Sequence, residues 1–98
     1  MEIRKTTNHH TLTVSISGRV DTLTAPVLEQ ELKNSLTDIT ELILDFTEVE
    51  YISSAGLRVL LFAHKTMQKQ GSMKLIHVTK DVLEILEMTG FISALTIE

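Results

Sequence analysis

The order of apolar patterns along this 98-residue sequence predicts an α/β domain: a mixed β-sheet with an N-terminal hairpin and about three main helices packed on it. Three observations carry that reading. Two alternating stretches flank a short polar "NHH" near the start, which is hairpin patterning. Strand-like and helix-like periods then exchange in the order βαβαβα, the signature of helices crossing over a partly parallel sheet. Residues that start and stop helices stand at each exchange.

The elements follow in order. "EIRKTT" and "LTVSISG" alternate apolar and polar residues, so Leu12, Val14 and Ile16 share one strand face. In "RVDTLTAPVLEQELKNSL", Thr24 is placed to cap a helix and Pro26 falls in its first turn, where a missing N–H is harmless. Glu29 and Glu31 are expected near that helix's positive end, and Leu28, Leu32 and Leu36 form its apolar stripe. "ELILDF", residues 41–46, is short and dense in Leu and Ile, as a buried central strand is. The second helix is expected to start near Ala55 and to end before Gly71, read as the left-handed residue after its last turn. "MKLIHV" reads as another strand, Thr79 as the cap of a third helix through "KDVLEILEMT", Gly90 as its stop, and "ALTIE" as a last short strand.

Composition narrows the function classes. At 98 residues, 43% hydrophobic and 22% charged, the chain suits one compact domain, 1–98, with no repeat or linker. Without cysteine it has no disulfide, thiolate metal site or cysteine nucleophile, which suits a reducing cytosol. "MEIRKTTNHH" lacks the apolar core of a signal peptide, and "VLLFA" is the longest apolar run, too short to cross a membrane. Lys and Arg look scattered, net charge is −4, and only four side chains are aromatic. Nucleic acid is therefore not the expected partner.

Candidate chemistry concentrates in "FTEVEYISSAGLRVLL", residues 46–61. Ser54 lacks the glycine two residues before it that a hydrolase elbow requires. His64 lies ten residues along the same helix, about 15 Å away. His9, His10 and His77 reach it only through the fold, with no acidic partner evident to orient them. No metal-ligand spacing or glycine-rich phosphate loop occurs, so no cofactor is expected. The plain reading of Ser54 is a helix cap. Small residues at 55 and 56 add room for an anion against free backbone N–H groups.

The same stretch resembles the signature of STAS domains, in particular bacterial anti-sigma-factor antagonists: an apolar strand ending in Asp, a few polar residues, an aromatic or apolar pair, then Asp-Ser-x-Gly-Leu opening a helix. Asp45, Tyr51, Ile52, Ser54, Gly56 and Leu57 occupy those places. "GRVDTLTAPVLEQEL" matches a second family element through Gly18, Val20, Asp21, Thr24 and Ala25, and "VTKDVLEILEMTGF" is similar to the family's last helix. The resemblance implies a cytoplasmic regulator that catalyses nothing itself. It would bind an anti-sigma factor, itself a serine kinase, and so release a sigma factor. Phosphorylation of Ser54 would end that binding and a PP2C-type phosphatase would restore it. Ser53 stands where the family has Asp and is a second acceptor candidate. The expected partner surface is Asp21, Thr22, Ser53, Ser54, Ala55, Gly56 and Leu57, with Gly56 kept for partner approach and tolerant of alanine as far as folding goes. STAS domains also serve as accessory or scaffold subunits binding a transporter ATPase or a stress-signalling assembly, the alternative role.

Overall fold

The computed structural model describes residues 1–98. The hairpin forms as its alternation requires: β1 (Glu2–Asn8) runs antiparallel to β2 (Thr11–Val20) across His9 and His10. Along β2, Leu12, Val14, Ile16 and Val20 are buried on one face. Thr11, Thr13, Ser15 and Ser17 alternate with the first of them and remain half-buried on the other face.

From β2 the chain climbs through α1 (Ala25–Ser35) into β3 (Glu41–Ile52), then through α2 (Ser54–Gln68) into β4 (Ser72–Ile76). The sheet order is β1-β2-β3-β4, with β3 parallel to both neighbours. Two successive right-handed crossovers stepping the same way place their helices on the same face. Leu28 and Leu32 of α1 and Leu60, Ala63 and Met67 of α2 accordingly bury against Leu42, Leu44 and Phe46 of β3 in one apolar core. α3 (Lys80–Thr89) closes the domain through Val82 and Leu86. Thr79 Oγ1 accepts from Val82 N, and Gly90 stops the helix at φ 81°.

Four details depart from expectation. β3 does not end at Phe46 but runs to Ile52, and two register shifts against β2 break its two-residue period beyond Asp45, which hides the extension from a reading by alternation. Its buried residues there, Phe46, Val49 and Ile52, recur every third position. Gly71 has no left-handed backbone. It is needed because the chain passes so close to Thr40 that an added Cβ would strike the Thr40 carbonyl. "ALTIE" supplies only a single parallel bridge, Leu75 to Ile97, after one 3₁₀ turn at Phe91–Ser93. Glu29 lies beyond the first turn of α1, which contains no acidic residue. Glu29 and Glu31 pair instead with Lys33 at 3.7 Å and Lys5 at 2.8 Å.

Candidate functional site

The C-terminal ends of β2 and β3 lie side by side: Val20 is in register with Ile52, and Ser53 N donates to Val20 O at 2.8 Å. The chain leaves both strands into helices there. This brings Asp21 and Thr22 beside Ser53 and Ser54, as expected for ligand sites at strand ends of α/β sheets.

At the second corner the two serines divide the work. Ser53, with extended backbone at φ −91° and ψ 176°, is the cap: its Oγ accepts from Gly56 N at 3.3 Å. Ser54 is the first residue of α2, one position before the expected start. The plain reading of Ser54 as the cap is thereby corrected. Its side chain is exposed and its hydroxyl enters no hydrogen bond within the chain. Serine and aspartate cap about equally well. Ser53 in the family's Asp position therefore preserves that job while removing a charge.

Gly56 is buried under this corner. A Cβ there would sit 2.6 Å from Ile52 Cγ1 and 2.9 Å from Val20 Cγ1. Both neighbours are β-branched and stiff at χ1. The expectation that alanine is harmless to folding fails on that geometry: the helix drops onto the strand ends too closely for a side chain. Leu57 is also buried, at 4% exposure. The outward surface is thus made by Thr22 and Ser54, with Asp21, Ser53 and Ala55 half-exposed beside them and Gly56 and Leu57 supporting it from below.

The first corner takes four residues. Thr24 precedes α1 but donates no cap. Its hydroxyl donates to Arg19 O at 2.8 Å and accepts from Asp21 N at 2.9 Å. Asp21 Oδ1 accepts from Leu23 N at 3.0 Å and Thr24 N at 3.1 Å, an Asx turn that competes with capping. The Thr24 N–H, foremost, with Leu23 N–H, the Thr24 hydroxyl and nearby Arg19, holds the Asp21 carboxyl below the usual aspartate range against a partial desolvation. Arg19 lies 4.3 Å over the Tyr51 ring. So clamped, the turn presents Leu23 at 84% exposure, followed in α1 by Val27 at 54%. Neither figures among the sequence-derived site residues. The signal available was the D-x-x-T spacing of the turn.

A second polar cluster lies on the open sheet face. His77 Nδ1 is 3.3 Å from Asp45 Oδ1 and 3.1 Å from Thr47 Oγ1, and Thr47 Oγ1 donates to Asp45 Oδ1 at 2.6 Å. An acidic partner for His77 therefore exists, contrary to the sequence reading. Partial burial raises the Asp45 pKa, but bonds from Thr47 and His77 prevail and leave it lowered. Hydroxyl and carboxylate both meet the same imidazole nitrogen, so no proton relay from Thr47 through His77 to Asp45 is set up. Asp45 precedes Ile52 by seven strand residues, about 23 Å of chain, which leaves Ser54 outside this cluster.

Comparison with known proteins bears on the same features. The family model described as STAS domain matches residues 2–98. The chain is 31% identical over 84 residues to the anti-sigma-B factor antagonist of Bacillus subtilis (strain 168), covering 85% of this chain and 77% of that one. It is 37% identical over 84 residues to BtrV of Bordetella bronchiseptica, a candidate anti-sigma factor antagonist, covering 84% and 72%. Among solved structures it is similar to the anti-sigma factor antagonist SpoIIAA in its unphosphorylated form, with TM-score 0.84 at 13% identity over 99% of this chain and 88% of that one. The phosphorylated form of the Bacillus cell fate determinant SpoIIAA superposes with TM-score 0.76 at 12% identity, over 99% and 91%. These two likenesses concern the fold alone.

Proposed function

The chain belongs to the STAS domain family, and from that premise we propose that it is an anti-sigma-factor antagonist switched by phosphorylation of Ser54. In its unmodified form the Asp21–Thr22–Ser54 surface binds an anti-sigma factor with serine-kinase activity, and the sigma factor is set free in the cytoplasm. The kinase transfers the terminal phosphoryl group of ATP to Ser54 Oγ, and the complex parts. A PP2C-type phosphatase restores the surface by hydrolysis. ATP and metal ions belong to those partners.

The observation that carries this reading is the free, exposed Ser54 hydroxyl, with the cap supplied by its neighbour. Ser53 is the weaker acceptor: it is half-buried and its oxygen is engaged with Gly56 N. Both the Bacillus subtilis relative and SpoIIAA are anti-sigma antagonists by name, and SpoIIAA exists in phosphorylated and unphosphorylated forms. Physics supports a switch at this place. A phosphate adds about −1.5 to −2 charges. At the start of a helix the backbone N–H groups and dipole hold it, so the fold tolerates it. Within a protein interface the same charge must be desolvated, so association suffers.

Titration calorimetry of the wild type, Ser54→Asp and Ser54→Ala against the cognate anti-sigma kinase tests the proposal. An unpartnered interfacial charge costs on the order of 2 to 5 kcal/mol, so Ser54→Asp should lose roughly 30- to several-thousand-fold in affinity. Ser54→Ala should bind yet accept no phosphate, as mass spectrometry of the kinase reaction would show. Equal affinity of Ser54→Asp and wild type removes Ser54 from the switch.

A further inference from the structure

Ser54 heads a stripe. Along α2 the residues at 54, 58, 61, 62, 65 and 69 recur every three or four positions, the spacing of one helix face. Arg58, Lys65 and Lys69 are exposed, while Leu61, Phe62 and Thr66 lie half-buried between them in a shallow groove. Scattered along the sequence, these cations converge once the helix forms. The segment 51–80 contains five of the nine Lys and Arg and none of the thirteen Asp and Glu. None of Arg58, Lys65 and Lys69 joins any of the six ion pairs of the chain. Lys33, which approaches the Phe62 ring at 5.4 Å, is by contrast already paired with Glu29.

We propose that this stripe is a docking surface for an acidic segment of the protein partner. Carboxylates of that segment meet Arg58, Lys65 and Lys69, and an apolar side chain rests on Leu61 and Phe62. The inference rests on the Ser54 switch for its regulation. A phosphate on Ser54 stands one helical turn before Arg58, where it competes with the partner's carboxylates for the guanidinium and repels them. A nucleic acid fits less well. Its phosphates offer nothing to cover Leu61 and Phe62, and the other residues of the chain carry all thirteen acids against four bases, a field that opposes a long polyanion.

The first experiment uses the full chain and a defined probe: a helical peptide with glutamates flanking two leucines, beside a mirror peptide with lysine for each glutamate, and duplex DNA. Amide resonances from Arg58 to Lys69 should shift with the acidic peptide alone, and binding should weaken as salt is raised. The Lys65→Glu/Lys69→Glu variant, changed only at exposed positions, should lose about tenfold in affinity. Equal binding of the mirror peptide or of DNA, or shifts confined elsewhere, overturns the docking surface. The second experiment repeats the variant against the cognate anti-sigma kinase, where about tenfold weakening is again expected. A kinase that binds this variant like wild type yet rejects Ser54→Asp overturns the stripe and leaves the switch standing. One that rejects the variant but ignores Ser54→Asp does the reverse.

Discussion

The two strand-to-helix corners at the same end of the sheet solve one problem in opposite ways. Between β2 and α1 the chain spends four residues, Asp21–Thr24, and a carboxylate gathers their N–H groups into a turn standing clear of the core. Between β3 and α2 it spends one, Ser53, and the helix descends directly onto Val20 and Ile52. The first corner is specified by hydrogen bonds and leaves Leu23 in solvent. The second is specified by close packing and leaves only a hydroxyl. Substitutions should therefore act through polar satisfaction and charge at one corner, and through steric fit at the other.

The largest expected effect breaks the packed corner. Gly56→Ala gains about 1 kcal/mol of helix propensity but overpacks Ile52 and Val20 at about 1 to 3 kcal/mol. Urea denaturation should show a net loss on the order of 1 kcal/mol, and a smaller loss when the same change is made in a Val20→Ala background. A stability equal to or above wild type would mean that the corner gives way freely. Next comes the cap. Ser53→Ala should cost about 1 kcal/mol and Ser53→Asp almost nothing. Ser54→Ala should stay within about 0.5 kcal/mol of wild type. Equal losses at 53 and 54 would reverse the division of labour between the serines.

The smallest effect sharpens the hydrogen-bonded corner. The Asp21 pKa is lowered in the folded chain. Its charge therefore contributes stability that is complete above the unfolded value of about 3.9 and is lost as pH falls through the lower folded value. Asp21→Asn keeps the acceptor and removes the charge. The stability gap between wild type and Asp21→Asn should be present at neutral pH and close in acid. A gap that persists below the folded pKa would show that the carboxylate charge is not what holds the turn.

Much of this architecture was legible because local signals agreed with tertiary ones. The alternation of Leu12, Val14 and Ile16, the stripe Leu28–Leu32–Leu36, and the Thr79 and Gly90 punctuation each ask for the element they form. The failures share a cause. A bulge replaces the two-residue period by a three-residue one, so Val49 and Ile52 look unlike strand residues. Glycines 56 and 71 are required by neighbours distant in sequence, Val20 and Thr40, which no local rule registers. At the site, the grouping of Asp21 with Ser54 was expected from chain order together with the family resemblance. Which serine caps did not, since either suits the role and only the length of β3 decides between them.

The division of labour at Ser53 and Ser54 also constrains how the proposed kinase could address Ser54. Ser54 belongs to a closed first turn: the Gly56 amide is already bonded to Ser53, and Leu57 N is bonded to Ser53 O at 2.9 Å. Straightening that turn into the extended line in which a peptide substrate is threaded would pull Gly56 and Leu57 out of the core. Under the proposed switch, the kinase would have to recognise a three-dimensional corner assembled from two distant stretches of chain. On that proposal a synthetic peptide spanning residues 46–61, which carries the motif without the corner, should be a poor substrate.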